Sequence, residues 1–242
     1  MFRLLGLLFL YPALTQGTPA LESIGHPSIG KLGGSIEEIK KRTQKELLGA
    51  GDIVKRTVKR LGDKTLELES FANIDADYDT FWNITKEFQN WNDWVLKDIN
   101  KKPEGGEYYA KILRFENVPN LPQQLKIFLL LDFPVYKKSL VAHMDLLATR
   151  TEGHFTLQGK LAPKNIEEAI IPRCEVTGIF FETDNPNRIQ AYIKGWMVLK
   201  PWVLYQALPK KLLTKEAGNR VRRVIDNYME LEISRERAAL SQ

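Results

Sequence analysis

The chain has 242 residues, of which 43% are hydrophobic and 10% aromatic, and these fractions are typical of a globular protein. Its formal net charge of +5 is mild and spread along the sequence, so it does not predict a nucleic-acid-binding protein. The single cysteine, Cys174, excludes an intrachain disulfide. Beyond the N-terminus, no apolar stretch approaches the roughly 20 residues that a transmembrane helix needs.

The first residues have the three-part layout of a secretory signal. Arg3 precedes an apolar run over residues 4–14, Pro12 interrupts that run, and the small residues Thr15 and Gly17 follow. The run is too short to span a bilayer. We therefore predict a cleavable signal peptide over residues 1–17 and an exported protein, either periplasmic or secreted. A buried N-terminal strand or helix is the alternative.

Residues 18–51 are predicted to form a flexible lead-in and a short helix. Gly, Pro and Ser are frequent over residues 18–34, which is typical of a flexible segment. Ser35 and Glu38 then form the S-x-x-E pattern of a capping box, which predicts a helix that ends at about Leu48. The weak apolar stripe of this helix indicates that it lies against the main domain, predicted over residues 52–242.

The main domain begins with an extended segment over residues 52–74. Apolar residues alternate with polar ones in its second half, which is the period of a half-buried strand. Asp75 and Asp77 end the strand and provide caps for a helix over residues 78–88. A short tryptophan-rich segment over residues 89–95 follows, so two short helical pieces come after the first core strand.

The middle of the chain is predicted to be a meander of strands separated by turn residues. The expected strands cover residues 96–101, 108–115, 125–133, 139–149, 154–161, 173–183 and 188–199. Residues 117–122 and 163–172 are predicted to be loops and are candidate gates for a ligand. Short connections between consecutive strands favour an antiparallel sheet.

A long amphipathic helix is predicted at the C-terminal end, after a shorter piece that Pro209 interrupts. Its apolar residues recur at steps of three and four along one face; they are Leu213, Ala217, Val221, Val224, Tyr228 and Leu231. A bent antiparallel sheet around one helix leaves space that the helix does not fill. An apolar cavity is therefore expected between the sheet and the helix.

This order of elements resembles the START-like helix-grip superfamily, which includes lipid-transfer domains, polyketide cyclases and the birch-pollen allergen family. Residues 69–95, ESFANIDADYDTFWNITKEFQNWNDWV, are similar to its first strand and helix pair. Residues 193–213, IKGWMVLKPWVLYQALPKKLL, are similar to its last strand and gripping helix. The resemblance implies an α+β fold in which a curved antiparallel sheet of about seven strands wraps a long C-terminal helix. It also implies a hydrophobic ligand, such as a lipid, sterol, quinone or aromatic polyketide.

Candidate ligand contacts are mostly large apolar side chains on the predicted inner faces, since such residues commonly line small-molecule sites. The ten candidates are Trp82, Trp91, Trp94, Tyr108, Arg114, Phe128, Met144, Phe180, Trp196 and Tyr228. Arg114 is included because it shares its face with Ala110 and Ile112, where a cation needs a carboxylate or a ligand head group. The alternative is that Arg114 lies at the end of its strand and reaches water.

The sequence predicts neither a metal site nor a cofactor. The histidines lack metal-ligand spacing, and the strand pattern places His143 on a wet face near Asp145. Cys174 alternates with apolar residues, which favours a buried thiol over a nucleophile. Basic clusters at residues 40–42, 55–60 and 220–223 are predicted to be solvated, or alternatively to contact anionic lipid head groups.

Three functional hypotheses follow. The first is an exported protein that binds a hydrophobic small molecule or lipid and carries it between membranes. The second is a cyclase- or hydrolase-type enzyme on the same fold, which would need an acid–base pair in the cavity; Tyr109, Arg114 and His143 are its candidates. The third is an interaction module whose interior holds no ligand.

Overall fold

The computed structural model describes residues 32–49, 55–61, 65–98, 109–119, 121–133, 138–163, 173–198 and 210–240. The predicted signal peptide lies outside these ranges, as do Tyr108, the shorter helical piece before Pro209 and most of the predicted 163–172 loop. Within the described ranges, none of the helices is both long and apolar enough to cross a membrane.

The described elements are three α-helices, one short 3-10 helix and eight strands. In chain order they are α1 (Ile36–Leu47), β1 (Lys55–Leu61), β2 (Thr65–Ile74), α2 (Tyr78–Thr85), the 3-10 helix (Phe88–Asn90), β3 (Tyr109–Val118), β4 (Leu121–Phe133), β5 (Lys138–Thr151), β6 (His154–Pro163), β7 (Arg173–Glu182), β8 (Ile189–Val198) and α3 (Lys210–Leu240). The strands form one antiparallel sheet in the order β1-β2-β8-β7-β6-β5-β4-β3. The predicted curved antiparallel sheet with a long C-terminal helix is confirmed.

The first part of the sheet differs from the prediction because the extended segment before Ile74 is a hairpin of two strands, not one strand. β1 pairs with β2 in register from Lys55 opposite Phe71 to Leu61 opposite Thr65. The predicted strand over residues 96–101 is wrong in its described part, since Leu96 lies in a turn and its N–H donates to the carbonyl oxygen of Trp91 at 2.9 Å. The predicted loop over residues 117–122 is also wrong, because Val118 pairs with Leu121 as β3 passes into β4.

The turns and caps follow from local chemistry. The predicted capping box is present: Ser35 Oγ accepts from the Glu38 N–H at 3.2 Å, and Glu38 Oε2 accepts from the Ser35 N–H at 2.7 Å. Asp77 caps α2 by accepting from the Thr80 N–H at 2.8 Å. The β5–β6 hairpin turns at Gly153, whose φ of +74° lies in the left-handed region that glycine adopts without strain.

The two faces of the sheet are covered by different helices. The face covered by α2, α3 and residues 88–96 is called the inner face here, and its main core includes Phe81, Phe155 and Tyr228. The opposite, outer face carries a second cluster in which Ile39 and Leu47 of α1 pack with Phe71, Ile179, Phe181 and Tyr192. The short helix that precedes the sheet therefore seals its outer face.

Candidate functional site

An apolar cavity of about 140 Å³ lies between the inner face of the sheet and α3. Its described walls come from β2, β5, β6, β7 and β8, from α2 and residues 88–96, and from α3. From α3, the wall includes Val221, Val224 and Ile225, three residues within one helical turn. The predicted cavity between the sheet and the C-terminal helix is thus present, and most of the elements after β1 contribute to it.

Small residues on the inner face leave the space that forms this cavity. Ala72 of β2, Gly159 of β6, Gly178 of β7 and Ala191 of β8 all line it. At Gly178, a Cβ atom would lie only 2.9 Å from the ring of Phe180, so glycine allows that ring to lie close to its own strand. Larger side chains at these positions would fill the space by core packing alone.

The wall opposite the sheet is fixed by hydrogen bonds that involve two tryptophans. Trp91 Nε1 donates to the carbonyl oxygen of Thr85 at 2.9 Å and so ties residues 88–96 to the end of α2. Asn227 Nδ2 donates to the carbonyl oxygen of Trp94 at 2.9 Å, which ties the same segment to α3. The Trp94 ring also lies edge-on to Trp91 and Tyr228, with centroids 6.4 and 6.0 Å apart.

Four of the ten predicted ligand contacts line the cavity: Trp91, Trp94, Met144 and Phe180. Trp82 and Tyr228 pack in the main core but are not among the described lining residues; Trp82 lies 5.1 Å from the ring of Phe155. Tyr108 lies outside the described residues. Contact between any of the ten and a ligand stays a prediction.

The predicted position of Arg114 on the inner face is wrong, because a β-bulge intervenes. Ile112 pairs with Leu129, but the next pair joins Arg114 to Phe128, so Leu113 is an extra residue in β3. The one-residue shift reverses the face of every following side chain. Arg114 therefore lies on the outer face, with its guanidinium 4.0 Å from the centre of the Phe128 ring and 3.1 Å from the Glu116 carboxylate. Its side chain is 63% exposed, so its charge is solvated.

Phe128 and Trp196 also lie on the outer face, away from the cavity. Phe128 pairs with His143, and their rings are 4.6 Å apart. Trp196 pairs with Glu67 of β2 and Glu175 of β7, both on the outer face. Their residue type predicted a ligand contact, whereas their register in the sheet determines which face they occupy, and that face is the outer one.

The sequence prediction missed Thr85 and the small residues of the wall. Thr85, at the end of α2, is buried and lines the cavity. Asn227 was also missed; it is buried, and its side-chain amide donates to the carbonyl oxygen of Trp94. A small residue at an inner-face position of each of β2, β6, β7 and β8 was the available signal for the cavity.

The described lining contains no ionisable side chain. Cys174 is buried on the inner face, as predicted, and burial raises the pKa of its thiol well above the ordinary value. His143 faces outward near Asp145, and burial raises the pKa of that carboxyl while Lys126, His143 and Lys160 oppose the shift. Among the described residues, no group of three or more His, Cys, Asp or Glu side chains is placed to hold a metal ion.

No protein-family model matches the sequence, and no curated protein is significantly similar to it. Several solved structures are similar in fold. A STAR-related lipid transfer protein from Xanthomonas axonopodis is 9% identical with a TM-score of 0.49, over 72% of this chain and 92% of that one. The Zhui aromatase/cyclase from Streptomyces sp. R1128 is 13% identical with a TM-score of 0.40, over 72% and 96%. A START superfamily protein from Mycobacterium smegmatis is 13% identical with a TM-score of 0.38, over 67% and 93%.

The chain has a helix-grip fold. The element order, the single antiparallel sheet and the long C-terminal helix on its inner face define it. At these identities and TM-scores, the function of this helix-grip protein must be argued from its own residues, above all from the cavity wall.

Proposed function

We propose that this protein binds a hydrophobic small molecule in the cavity between the inner face of the sheet and α3. The observation that carries the proposal is that an apolar space of about 140 Å³ is left within the main core, between the sheet and α3. Native cores rarely contain voids much larger than a water molecule, because unfilled space costs packing energy. A cavity of this size therefore favours a ligand over a collapsed interaction module.

The volume of the cavity limits how much of a ligand it can enclose. An engineered apolar cavity of about 150 Å³ stays dry and binds benzene, so the described space accommodates one ring or a short stretch of chain. Burial of about 200 Å² of apolar surface gives about 5 kcal/mol at about 25 cal/mol per Å², which corresponds to a Kd of roughly 0.2 mM. A larger lipid or sterol requires the cavity to widen or part of the molecule to lie elsewhere.

The second candidate, a cyclase- or hydrolase-type enzyme, needs an acid–base pair at the substrate. The described lining offers none, and Arg114 and His143 lie on the outer face. Binding without chemistry is therefore the better supported of the two.

The test combines mass spectrometry with a cavity-filling variant. Organic extraction of purified full-length protein is expected to release a hydrophobic compound in stoichiometric amount. Ala191→Leu places a larger side chain in the cavity wall and is expected to abolish the co-purifying compound. Ala110→Leu is the matched control, since Ala110 is equally buried (both 0% exposed) but does not line the cavity. Clean extracts from wild-type protein, or equal ligand content in Ala191→Leu, would overturn the proposal.

We extend the proposal to export, which the signal-like layout of residues 1–17 supports. Expression of the full chain is expected to yield mature protein outside the cytoplasm that begins at Thr18, as measured by N-terminal sequencing. A cytoplasmic protein that retains residues 1–17 would contradict this part.

Contact with a membrane surface is the last part of the proposal. Arg222 and Arg223 are exposed on α3, next to the cavity-lining residues Val221 and Val224, so two positive charges lie beside the cavity wall. Lys40 and Lys41 are on α1, on the other side of the sheet, and do not extend that patch. Co-sedimentation with anionic phosphatidylglycerol vesicles is expected to fall in Arg222→Gln/Arg223→Gln but not in Lys40→Gln/Lys41→Gln. Equal binding by both double variants would contradict it.

A further inference from the structure

The Phe180 ring lies at the boundary between the filled part and the open part of the inner face. Phe180 of β7 pairs with Phe155 of β6 on one side and with Ala191 of β8 on the other. The same row continues from Ala191 to Ala72 of β2. Both alanines line the cavity, as does Phe180, whereas Phe155 is 0% exposed and is not among the described lining residues. Along this row of the sheet, the cavity therefore begins at the Phe180 ring.

Three neighbours contact this ring. Phe155 stacks on it, with ring centroids 4.6 Å apart and an angle of 16° between the planes. Phe81 of α2 lies against it at a centroid distance of 5.3 Å. Along its own strand the ring covers Gly178, where a Cβ atom would lie 2.9 Å from Phe180 Cε2 and 3.2 Å from Cζ. A side chain in a packed core moves only into unfilled space, and the unfilled space beside this ring is the cavity that it lines.

The other large aromatic residues of the described wall are positioned differently. Trp91 and Trp94 belong to a segment that hydrogen bonds tie to α2 and to α3. Phe81 is on α2 and contacts rings from both the sheet and α3. Phe180 is positioned by packing on the sheet itself, and its place depends on the missing Cβ atom of Gly178. It is therefore the aromatic wall residue whose position one small change in the sheet can alter.

The volume of the cavity gives this position a meaning for ligand size. A space of about 140 Å³ is close to the engineered cavity of about 150 Å³ that holds benzene. The Phe180 side chain itself ends in a ring of benzene's size, so its removal would leave room for about two rings. We propose that Phe180, positioned by Gly178, is the specificity-determining residue that limits the enclosed part of the ligand to one ring or an equally short chain. This inference rests on the proposed function and deepens it by assigning the size limit to one side chain.

Two substitutions move this boundary in opposite directions. Phe180→Ala removes the ring and is expected to admit a two-ring ligand. Gly178→Ala adds a Cβ atom that meets the ring, and it is expected to displace the ring into the cavity because Phe155 and Phe81 occupy other sides. Phe181→Ala is the matched control, since Phe181 is the next residue of β7, is 1% exposed and packs in the outer-face cluster.

Toluene and naphthalene are the probes, and equilibrium dialysis of delipidated full-length protein at equal free probe concentrations measures the amount bound. Wild-type protein is expected to bind about tenfold less naphthalene than toluene, because the second ring overfills the space. In Phe180→Ala, bound naphthalene is expected to rise about tenfold, which corresponds to the burial of roughly 60 Å² more apolar surface. In Gly178→Ala, bound toluene is expected to fall about fivefold. Phe181→Ala is expected to keep both wild-type values.

The outcomes separate this inference from the proposed function. If wild-type protein binds toluene but Phe180→Ala binds no more naphthalene than wild type, the inference is overturned and the proposed function stands. Toluene binding that is unchanged in Gly178→Ala, or a naphthalene gain of the same size in Phe181→Ala, also overturns the inference alone. If wild-type protein binds no toluene, both are overturned. Where circular dichroism shows that Phe180→Ala is unfolded, Phe180→Leu takes its place, with an expected rise in bound naphthalene of about threefold.

Discussion

The two faces of the sheet treat buried polar groups differently. On the outer face, the Tyr192 hydroxyl donates to Glu69 at 2.8 Å and accepts from Arg42 at 3.2 Å, and Arg42 also forms an ion pair with Glu69. On the inner face, the Thr85 hydroxyl and the Trp94 indole N–H have no described partner. On the outer face, Tyr192, Glu69 and Arg42 therefore share one hydrogen-bond network, although Arg42 Nε itself has no described partner. The inner face has an apolar cavity wall and buried polar groups without a described partner.

The largest effect is expected from the outer core. Phe181 is 1% exposed and packs in the cluster that joins α1 to the sheet. Phe181→Ala is expected to lower the free energy of unfolding by about 3–5 kcal/mol, since it removes buried surface and leaves a void. Urea unfolding measures the change. Ligand content per folded molecule is expected to stay at the wild-type level, and its loss would show that the two faces are not independent.

Removal of a single hydroxyl from the outer network is expected to have an intermediate effect. Tyr192→Phe deprives Glu69 of a donor and leaves Arg42 with one acceptor fewer. The expected loss is about 1–3 kcal/mol in the free energy of unfolding, because Glu69 and Arg42 each lose a hydrogen bond and keep only each other. A loss below about 0.5 kcal/mol, measured in urea, would mean that water replaces the hydroxyl.

The third prediction compares one substitution on the two faces. Thr43→Val removes a hydroxyl that donates to Ile39 and is expected to cost about 1 kcal/mol. Thr85→Val removes a hydroxyl that no described group satisfies, so in ligand-free protein the change is expected to be neutral or stabilising. Thermal unfolding of delipidated protein provides the comparison. Equal destabilisation by both variants would show that the Thr85 hydroxyl has a partner within the protein.

The smallest effect is expected when the pH is lowered, because it concerns a single ion pair between two inner-face elements. Arg235 of α3 donates to Glu87 Oε1 at 3.2 Å, and this hydrogen bond is the main reason that the pKa of Glu87 is lowered. A carboxyl with a lowered folded-state pKa stabilises the fold above its ordinary value near 4.3, and this contribution is lost as the pH falls through the folded-state pKa. The difference in unfolding midpoint between wild type and Glu87→Gln is therefore expected to shrink as the pH falls from 7 to below 4.

The comparison with Glu87→Gln is needed because a second carboxyl group, that of Glu232, has the opposite effect on stability as the pH falls. Burial raises the pKa of this carboxyl, so it acts in the opposite direction and favours the folded state at low pH. Both glutamates lie in the polar groove between α2 and the end of α3. Only the difference between wild type and Glu87→Gln isolates the ion pair. A difference that stays constant with pH would contradict the assigned shift.

The sequence predicted those features that depend on local pattern. The capping box at Ser35, the alternation in β2 and the apolar stripe of α3 each involve residues close in sequence, and each is present in the structure. Arg114 was placed on the wrong face because one bulge residue changes register without a residue-type signal. Trp196 alternates with Ile193 and Gly195 along β8, and this pattern indicates its outward position. The prediction of a ligand contact at Trp196 followed its residue type instead.

The polar part of the candidate site was not predictable from the sequence. Thr85 and Trp94 are distinctive only because partners are absent around them, and this depends on how α2, residues 88–96 and α3 meet. Strand patterns show which face a residue occupies, but they do not show which groups remain unsatisfied after packing.

The pairing of β2 with β8 has a consequence for the order in which this protein folds. Asn73 and Gln190, 117 residues apart in the chain, are partners in this pair. Contacts between such distant residues form slowly, since a long loop must close first. The cavity also needs Val221 and Val224 from α3, so its wall is incomplete until nearly the whole chain has been synthesised. The cavity can therefore close only after this long-range strand pair and α3 are both in place.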